Sequence, residues 1–239
     1  MTTDANTIIE SQRIEKVYAQ RSKSVPRDYY SPLFLSNLLS EQELERRILK
    51  SMAAYASMNL GHKRILEIGC GEGYWLRQFI QWGAKPEYLA GVDLLPDRVA
   101  KAREVCHPGI HLECREASHL DFADGSFDIV LQLTVFSSIL DAGMKNAVAR
   151  EMLRVLRPDG SVLWYDFFVN NPRNPDVRGI GKQEMRRLFP DCRIRCERIT
   201  VAPPLGRVLG RMSRLAYEMV SALRFADTHY LALIQKNEL

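Results

Sequence analysis

The sequence has no run approaching the roughly twenty apolar residues that a membrane-spanning helix needs. It also lacks internal repeats and low-complexity tracts. Its five cysteines are scattered, and only Cys192 and Cys196 stand close together, with no histidine or cysteine pair to complete a zinc set. Unpaired thiols and a polar start without a secretory leader give the expectation of a cytoplasmic, metal-free protein. No Gly-Lys-Ser/Thr follows a glycine loop, which excludes a P-loop. Charge is nearly balanced, 33 Lys and Arg against 29 Asp and Glu.

With 46% hydrophobic residues in 239, the chain can bury a substantial core. From Lys63 to Leu163 strand-like and helix-like patterns alternate, which implies a parallel sheet. The expected strands are 63–68, 88–93, 110–114, 127–132 and 161–167, with helices at 73–83, 96–106 and 142–156. Arg157-Pro158-Asp159-Gly160 is the turn into the fifth strand.

The chemistry is concentrated in Arg64-Ile65-Leu66-Glu67-Ile68-Gly69-Cys70-Gly71-Glu72-Gly73-Tyr74-Trp75. A short apolar strand runs into three glycines and then opens a helix. Such a loop lets backbone approach a ligand where a Cβ would collide, and the helix end offers unpaired N–H groups. This pattern marks a nucleotide-cofactor site. A dinucleotide site wants G-x-G-x-x-G, but Tyr74 takes the place of its last glycine and Gly73 falls one residue early. A second apolar run, Tyr88 to Val92, ends at Asp93 and Leu94. A carboxylate there can accept hydrogen bonds from both ribose hydroxyls of an adenosine. Downstream come Glu116, Ala117 and Ser118, then Phe122-Ala123-Asp124-Gly125-Ser126-Phe127-Asp128-Ile129-Val130, and Leu133, Thr134 and Val135 after the fourth strand.

Leu66 through Gly73 resembles the first motif of the class I S-adenosylmethionine-dependent methyltransferases, and Phe122 through Val130 resembles the segment entering their fourth strand. The resemblance implies an α/β fold: a Rossmann-like, doubly wound sheet of seven strands, mostly parallel with the last antiparallel. It implies S-adenosyl-L-methionine as cofactor and S-adenosyl-L-homocysteine as product. Glu67 would help fix the methionine end, with Gly69, Cys70, Gly71 and Gly73 in the loop. Glu116, Ala117 and Ser118 would lie beside the adenine, and Leu133 and Thr134 would line the cleft.

Both ends extend beyond a minimal fold. Residues 1–60 read as mostly helical, with Ile8, Ile9, Ile14, Val17 and Tyr18 on one apolar face. Prolines interrupt the pattern at 24–32, and helix resumes from Glu41 to Ala56. In resembling enzymes such an extension folds over the cofactor as a lid, which makes Tyr18, Arg21, Tyr29 and Tyr30 candidates. Residues 61–239 form the methyltransferase domain. The loop from Asn170 to Gly179 leaves the carboxyl end of a strand carrying asparagines, a carboxylate and arginines, which suits a polar, hydroxylated substrate; turn formation explains the same residues. A short helix at 181–189 and strands at 192–201 and 229–236 follow. Between those strands, residues 203–226 form a helical insertion. Its Leu205, Val208, Leu209, Met212, Leu215, Met219, Val220 and Leu223 recur at helical spacing, with Arg207, Arg211 and Arg214 on the other face. Ordinary packing of that apolar face, capping of an anionic substrate and peripheral membrane contact through 205–225 are the alternatives.

From Arg178 to Arg214 ten basic side chains face Glu184, Asp191 and Glu197. That field suits an anionic or glycosylated small-molecule acceptor. Nucleic acid is disfavoured: there is no recognisable RNA-binding module, and the Asn-Pro-Pro-Tyr/Phe motif is missing after the fourth strand. Candidate bases near the strand ends are His119, Asp166 and His229, none with a partner at diagnostic spacing. The expected activity is methyl transfer to an oxygen or nitrogen of a polar small molecule. The rivals are RNA methylation, cofactor binding without catalysis, and dehydrogenation, which Tyr74 argues against.

Overall fold

The computed structural model describes residues 5–26, 28–53, 59–172 and 174–237. Seven strands form one sheet: β1 (Ile65–Ile68), β2 (Leu89–Asp93), β3 (His111–Cys114), β4 (Phe127–Leu133), β5 (Leu156–Phe167), β6 (Cys192–Val201) and β7 (Asp227–Lys236). Their spatial order is β3-β2-β1-β4-β5-β7-β6. The first five run parallel, and β7 lies antiparallel between β5 and β6. Every residue of β1 and β2 is buried, as expected of apolar strands covered on both faces.

Eight helices flank the sheet among the described residues: α1 (Ala5–Ser24), α2 (Leu35–Ala53), α3 (Tyr74–Gln81), α4 (Pro96–Val105), α5 (Ala142–Val155), α6 (Lys182–Leu188), α7 (Pro203–Met212) and α8 (Arg214–Leu223). Pro96 opens α4 where its missing N–H is harmless. Asp141 caps α5 by accepting the Met144 N–H at 2.6 Å. One face of the sheet buries Val148, Met152 and Val155 of α5 with Val130, Phe136 and Trp164. The other buries Leu76 and Phe79 of α3, Val99 of α4 and Ile48 of α2 with Ile65 and Leu131. Each of these fully buried side chains contributes about 1.5–3 kcal/mol of transfer free energy.

Four expectations need correction. The insertion at 203–226 is two helices rather than one: Ser213 is extended and its hydroxyl accepts the Ala216 N–H, starting α8 anew. The apolar face expected on α1 is different too. Thr7, Glu10 and Ile14 point inward, while Ile8 and Ile9 are exposed, because the protein meets α1 with backbone N–H groups as well as apolar surface. Helix α2 begins at Leu35, ahead of the expected Glu41, and residues 54–56 of the expected helix lie outside the described residues. Finally, β5 begins at Leu156; Arg157–Gly160 form an irregularity within it, between the pairs Phe127–Leu156 and Ile129–Ser161.

Candidate active site

The glycine loop joins β1 to α3 over the end of β2, with the N–H groups of Gly69 and Cys70 donating to the Val92 carbonyl at 2.8 and 3.0 Å. Gly69, Gly71 and Gly73 have φ of 68°, 53° and 73°, the left-handed region that glycine enters freely. The reason for two of them differs from the expected close approach to a ligand. A Cβ on Gly69 would lie 2.4 Å from Val135 Cγ2, and one on Gly73 would lie 2.3 Å from Cys106 Sγ. The protein's own side chains exclude larger residues there. At Gly71 only Arg98 Nη1 comes near, at 3.7 Å.

Asp93, 6% exposed, accepts the Gly71 N–H on Oδ2 at 2.8 Å and the Leu95 N–H on Oδ1 at 2.9 Å. An ionised carboxylate has about four acceptor sites, so two remain for a ligand. Beneath the loop, Glu67 is 3% exposed and its Oε2 has no partner among the described residues. Burial, and then the negative charge of Asp93, pushes its carboxyl well above the usual range.

A cleft opens over these groups. Of the residues singled out in the sequence, Tyr18, Gly69, Asp93 and Leu94 line it, as do Glu116, Ala117, Leu133 and Thr134. Cys70 is buried behind the loop, and burial raises its thiol far above the usual range. Ser118 turns away and donates its N–H (2.7 Å) and hydroxyl to the Glu116 carboxylate. Apolar walls from Leu94, Ala117 and Val148 suit a flat heterocycle, and the free acceptor sites of Asp93 suit a diol. These residues fit an adenosyl group; Glu67 is buried beneath the loop and does not line the cleft. Among the described residues, no three His, Cys, Asp or Glu side chains gather as a metal would require.

Helix α1 is fastened across the cleft. Glu10 accepts the N–H groups of Leu140 and, at 3.3 Å, Asp141. Arg13 binds Glu10 through two 2.8 Å contacts and donates to the Ser138 carbonyl at 2.6 Å. The Tyr18 hydroxyl lies 3.1 Å from Ser138 Oγ, and the Arg98 guanidinium sits 4.5 Å above the Tyr18 ring. Glu10, Arg13, Arg98 and Ser138 escaped the sequence reading. Only Arg98 carried a signal, by following Asp93 in the first turn of a helix.

A second, larger lobe shares Tyr18, Arg98, Thr134 and Ser138 with the first. It reaches Tyr165, Phe167, Thr200 and His229 at the edge of the sheet where β5 and β6 end and β7 begins. Arg21 and Tyr30, hydrogen-bonded to each other, line it rather than the first cleft. Tyr29 lies in a neighbouring groove with Arg207 4.2 Å above its ring. Thr134 and Thr200 have φ of 60° and 67°, costly for branched residues and common where a site imposes geometry. Thr200 Oγ1 is 3.0 Å from the Tyr165 hydroxyl.

The three candidate bases do not converge. His229 lines the second lobe, 4% exposed, with Nδ1 3.0 Å from Thr228 Oγ1. Burial pushes its pKa down to about 3, so the imidazole is neutral. Asp166 is fully buried, with its oxygens turned to the N–H groups of Ser137 (3.1 Å) and Phe167 (2.9 Å), and burial lifts it to about 6. His119 is exposed in an outer groove with Ser11, Gln12 and Glu15. In the 170–179 loop, Asn170 and Asn174 accept the N–H groups of Gly179 and Asp176, making turns, while Val177 lines the second lobe and Asn171, Asn174 and Asp176 line an adjoining groove with Tyr18, Arg21 and Tyr30. Arg173 lies outside the described residues.

Residues 65–160 match a family model described as "Methyltransferase domain". Among curated proteins, the chain is 30% identical over 145 residues to the tRNA N(3)-cytidine methyltransferase METTL2 of Gallus gallus, covering 57% of this chain and 38% of that one. It is 28% identical over 130 residues to the methyltransferase GfsG of Streptomyces halstedii, covering 53% and 45%. The chain thus spans less than half the length of these two relatives. Among solved structures, an S-adenosylmethionine-dependent methyltransferase from Mesorhizobium loti shares the fold at a TM-score of 0.56 and 19% identity, over 78% of this chain and 96% of that one.

Proposed function

We propose that this chain, in which residues 65–160 are a methyltransferase domain of the class I S-adenosylmethionine-dependent family, methylates an oxygen or nitrogen of a polar small molecule such as a sugar or glycosylated metabolite. The observation that carries the reading is the pair of lobes meeting at Thr134: one fits an adenosyl group, and the other is bordered by α1, α2 and α7. S-adenosylmethionine supplies an already activated sulfonium methyl group. Asp93 would hold the ribose, Glu67 the methionine end, and Leu94 and Ala117 the adenine.

In the second lobe, His229 is the group to orient the acceptor. Its neutral imidazole can accept the acceptor's O–H or N–H. A group of low basicity suffices there, because that proton becomes strongly acidic as the new bond forms to the heteroatom. Arg21, Arg98 and Arg207 border the same lobe and favour an acceptor bearing negative charge. Thr134 and Thr200 hold the wall in a fixed shape, and orientation supplies much of the rate in such transfers.

Similarity to a tRNA methyltransferase favours RNA as the competing acceptor. The test is calorimetric titration with S-adenosylmethionine, S-adenosylhomocysteine and NAD, followed by transfer of labelled methyl to small glycosides and to tRNA. Binding of the two adenosyl sulfur compounds with label on a glycoside is the expected result. Label on tRNA alone would replace the acceptor class, and binding of NAD alone would overturn the reading.

A further inference from the structure

Helices α7 and α8 turn apolar surface outward. Gly206 and Leu209 of α7 and Tyr217 of α8 are buried, whereas Val208, Met212, Leu215, Met219, Leu223 and Phe225 are 56% to 70% exposed. Positions 208 and 212, then 215, 219 and 223, recur at helical spacing, so each helix shows solvent an apolar stripe. The chain entering α2 adds to this surface. Leu33 is 93% exposed, and Phe34, 47% exposed, shares a groove with Arg207, Gly210 and Arg211. A Cβ on Gly210 would meet Ser36 N at 3.0 Å, so that segment lies directly against α7.

The charges beside the stripes are basic. Arg207, Arg211 and Arg214 interleave with Val208, Met212 and Leu215, and the single acid of the two helices, Glu218, binds Arg214 at 2.8 Å. Exposed apolar patches of this kind mark interaction sites. The composition discriminates between partners. Met, Phe and Arg are enriched in protein interfaces as well, but half of the exposed apolar side chains here, Leu33, Val208, Leu215 and Leu223, are Leu or Val, which the hot spots of such interfaces under-represent. Apolar tips rimmed by arginine suit a bilayer boundary, where guanidinium groups meet lipid phosphates and the tips enter the acyl region. No described helix is long and apolar enough to cross a membrane, so the fit is to a surface.

We propose that the outer face of α7–α8, with the Leu33–Phe34 tip, docks this protein on an anionic lipid bilayer. Pro203, Gly206 and Arg207 of α7 also line the second lobe, so docking brings the mouth of that lobe close to the lipid surface. The docking needs no methyl transfer and stands or falls apart from the function proposed above.

Co-sedimentation of the full chain with vesicles of phosphatidylglycerol and phosphatidylcholine, against phosphatidylcholine alone, tests it. Binding should favour the anionic vesicles and weaken with added salt. The pair Met212→Glu and Met219→Glu, shown by circular dichroism and thermal melting to be folded, should lower partitioning tenfold or more. The pair Arg211→Gln and Arg214→Gln should lower it by roughly tenfold or more. Failure of the native chain to sediment with anionic vesicles, or equal binding by the folded methionine variant, would overturn the proposal. So would a stable dimer in solution that the methionine variant dissolves, since a second copy would then be the occupant.

Discussion

The imidazole of His229 lies parallel to the Tyr165 ring, with 4.6 Å between centroids and 1° between planes. The Phe167 ring, 3.9 Å away by centroid, packs on the same imidazole. Held between aromatics, His229 presents its edge rather than its face to the second lobe. His229→Gln should lower kcat by about 10²-fold, the low end for a proton-handling group, and leave S-adenosylmethionine affinity within twofold. Because its pKa sits near 3 in the folded chain, the kcat/KM profile of the native protein should be flat across the usual histidine range near pH 6.5. An inflection there that the Gln variant removes would show the imidazole to be more basic than its burial implies.

Asp93 connects the glycine loop to the turn before α4, and its remaining acceptor sites face the cleft. Asp93→Asn keeps the shape but loses the charge. Hydrogen bonds to a charged group are worth about 1.5–3 kcal/mol, so calorimetry should show S-adenosylmethionine binding weakened by roughly 10- to 150-fold, with a melting temperature only slightly changed. Unaltered affinity would remove Asp93 from the ribose role.

Glu10 is the hinge pin of α1. Burial raises its carboxyl, but the Arg13 guanidinium and the Leu140 and Asp141 N–H groups outweigh this and hold it below the usual value. A depressed folded-state pKa stabilises the docked helix above the ordinary carboxylate range, and that stabilisation is lost as pH falls below it. Glu10→Ala should expose residues 5–24 to faster amide exchange at neutral pH and weaken cofactor binding severalfold, without unfolding the sheet. Unchanged exchange would mean that α1 is held by Ile14 and Tyr18 alone.

Asp166 gives the opposite sign. Burial lifts it to about 6, so between the ordinary aspartate value near 3.9 and about 6 the folded chain holds a proton that the unfolded chain releases. Stability should therefore fall as pH rises through that window and level off above it. Melting curves of the native protein and Asp166→Asn should diverge across the window and run parallel above it. Parallel curves throughout would show that the carboxyl ionises as freely as in water.

Much of this fold is legible in the sequence between Ile65 and Phe167. Buried parallel strands such as Leu89–Asp93 are short apolar runs, and Gly69, Pro96 and Asp141 mark the turns and helix starts between them. The break at Ser213 is not legible. Arg211-Met212-Ser213-Arg214 contains neither glycine nor proline, and the apolar period continues through it. Nor does periodicity reveal that most of the insertion's apolar residues face solvent, since a period gives a stripe without saying what lies opposite it. At the site, the position of Asp93 follows from its strand. Arg98 and Glu10 reach it through long side chains, whose destinations depend on how α1 and α4 are placed.

The way α1 is fastened has a kinetic consequence. Of its three buried residues only Ile14 is apolar; Thr7 and Glu10 are polar, so lifting the helix breaks polar contacts as well as the packing of Ile14 and Tyr18 on the core. Opening of this kind breaks the hydrogen bonds of Glu10 to the Leu140 and Asp141 N–H groups and of Arg13 to the Ser138 carbonyl, while the Glu10–Arg13 pair, internal to α1, travels with the helix. Spent S-adenosylhomocysteine would leave no faster than Glu10 and Arg13 let go of the 138–141 segment, making turnover a matter of release. Its dissociation rate, followed by stopped flow, should then rise in Glu10→Ala, which removes the contacts to Leu140 and Asp141, while an unchanged rate would free the exit from the latch.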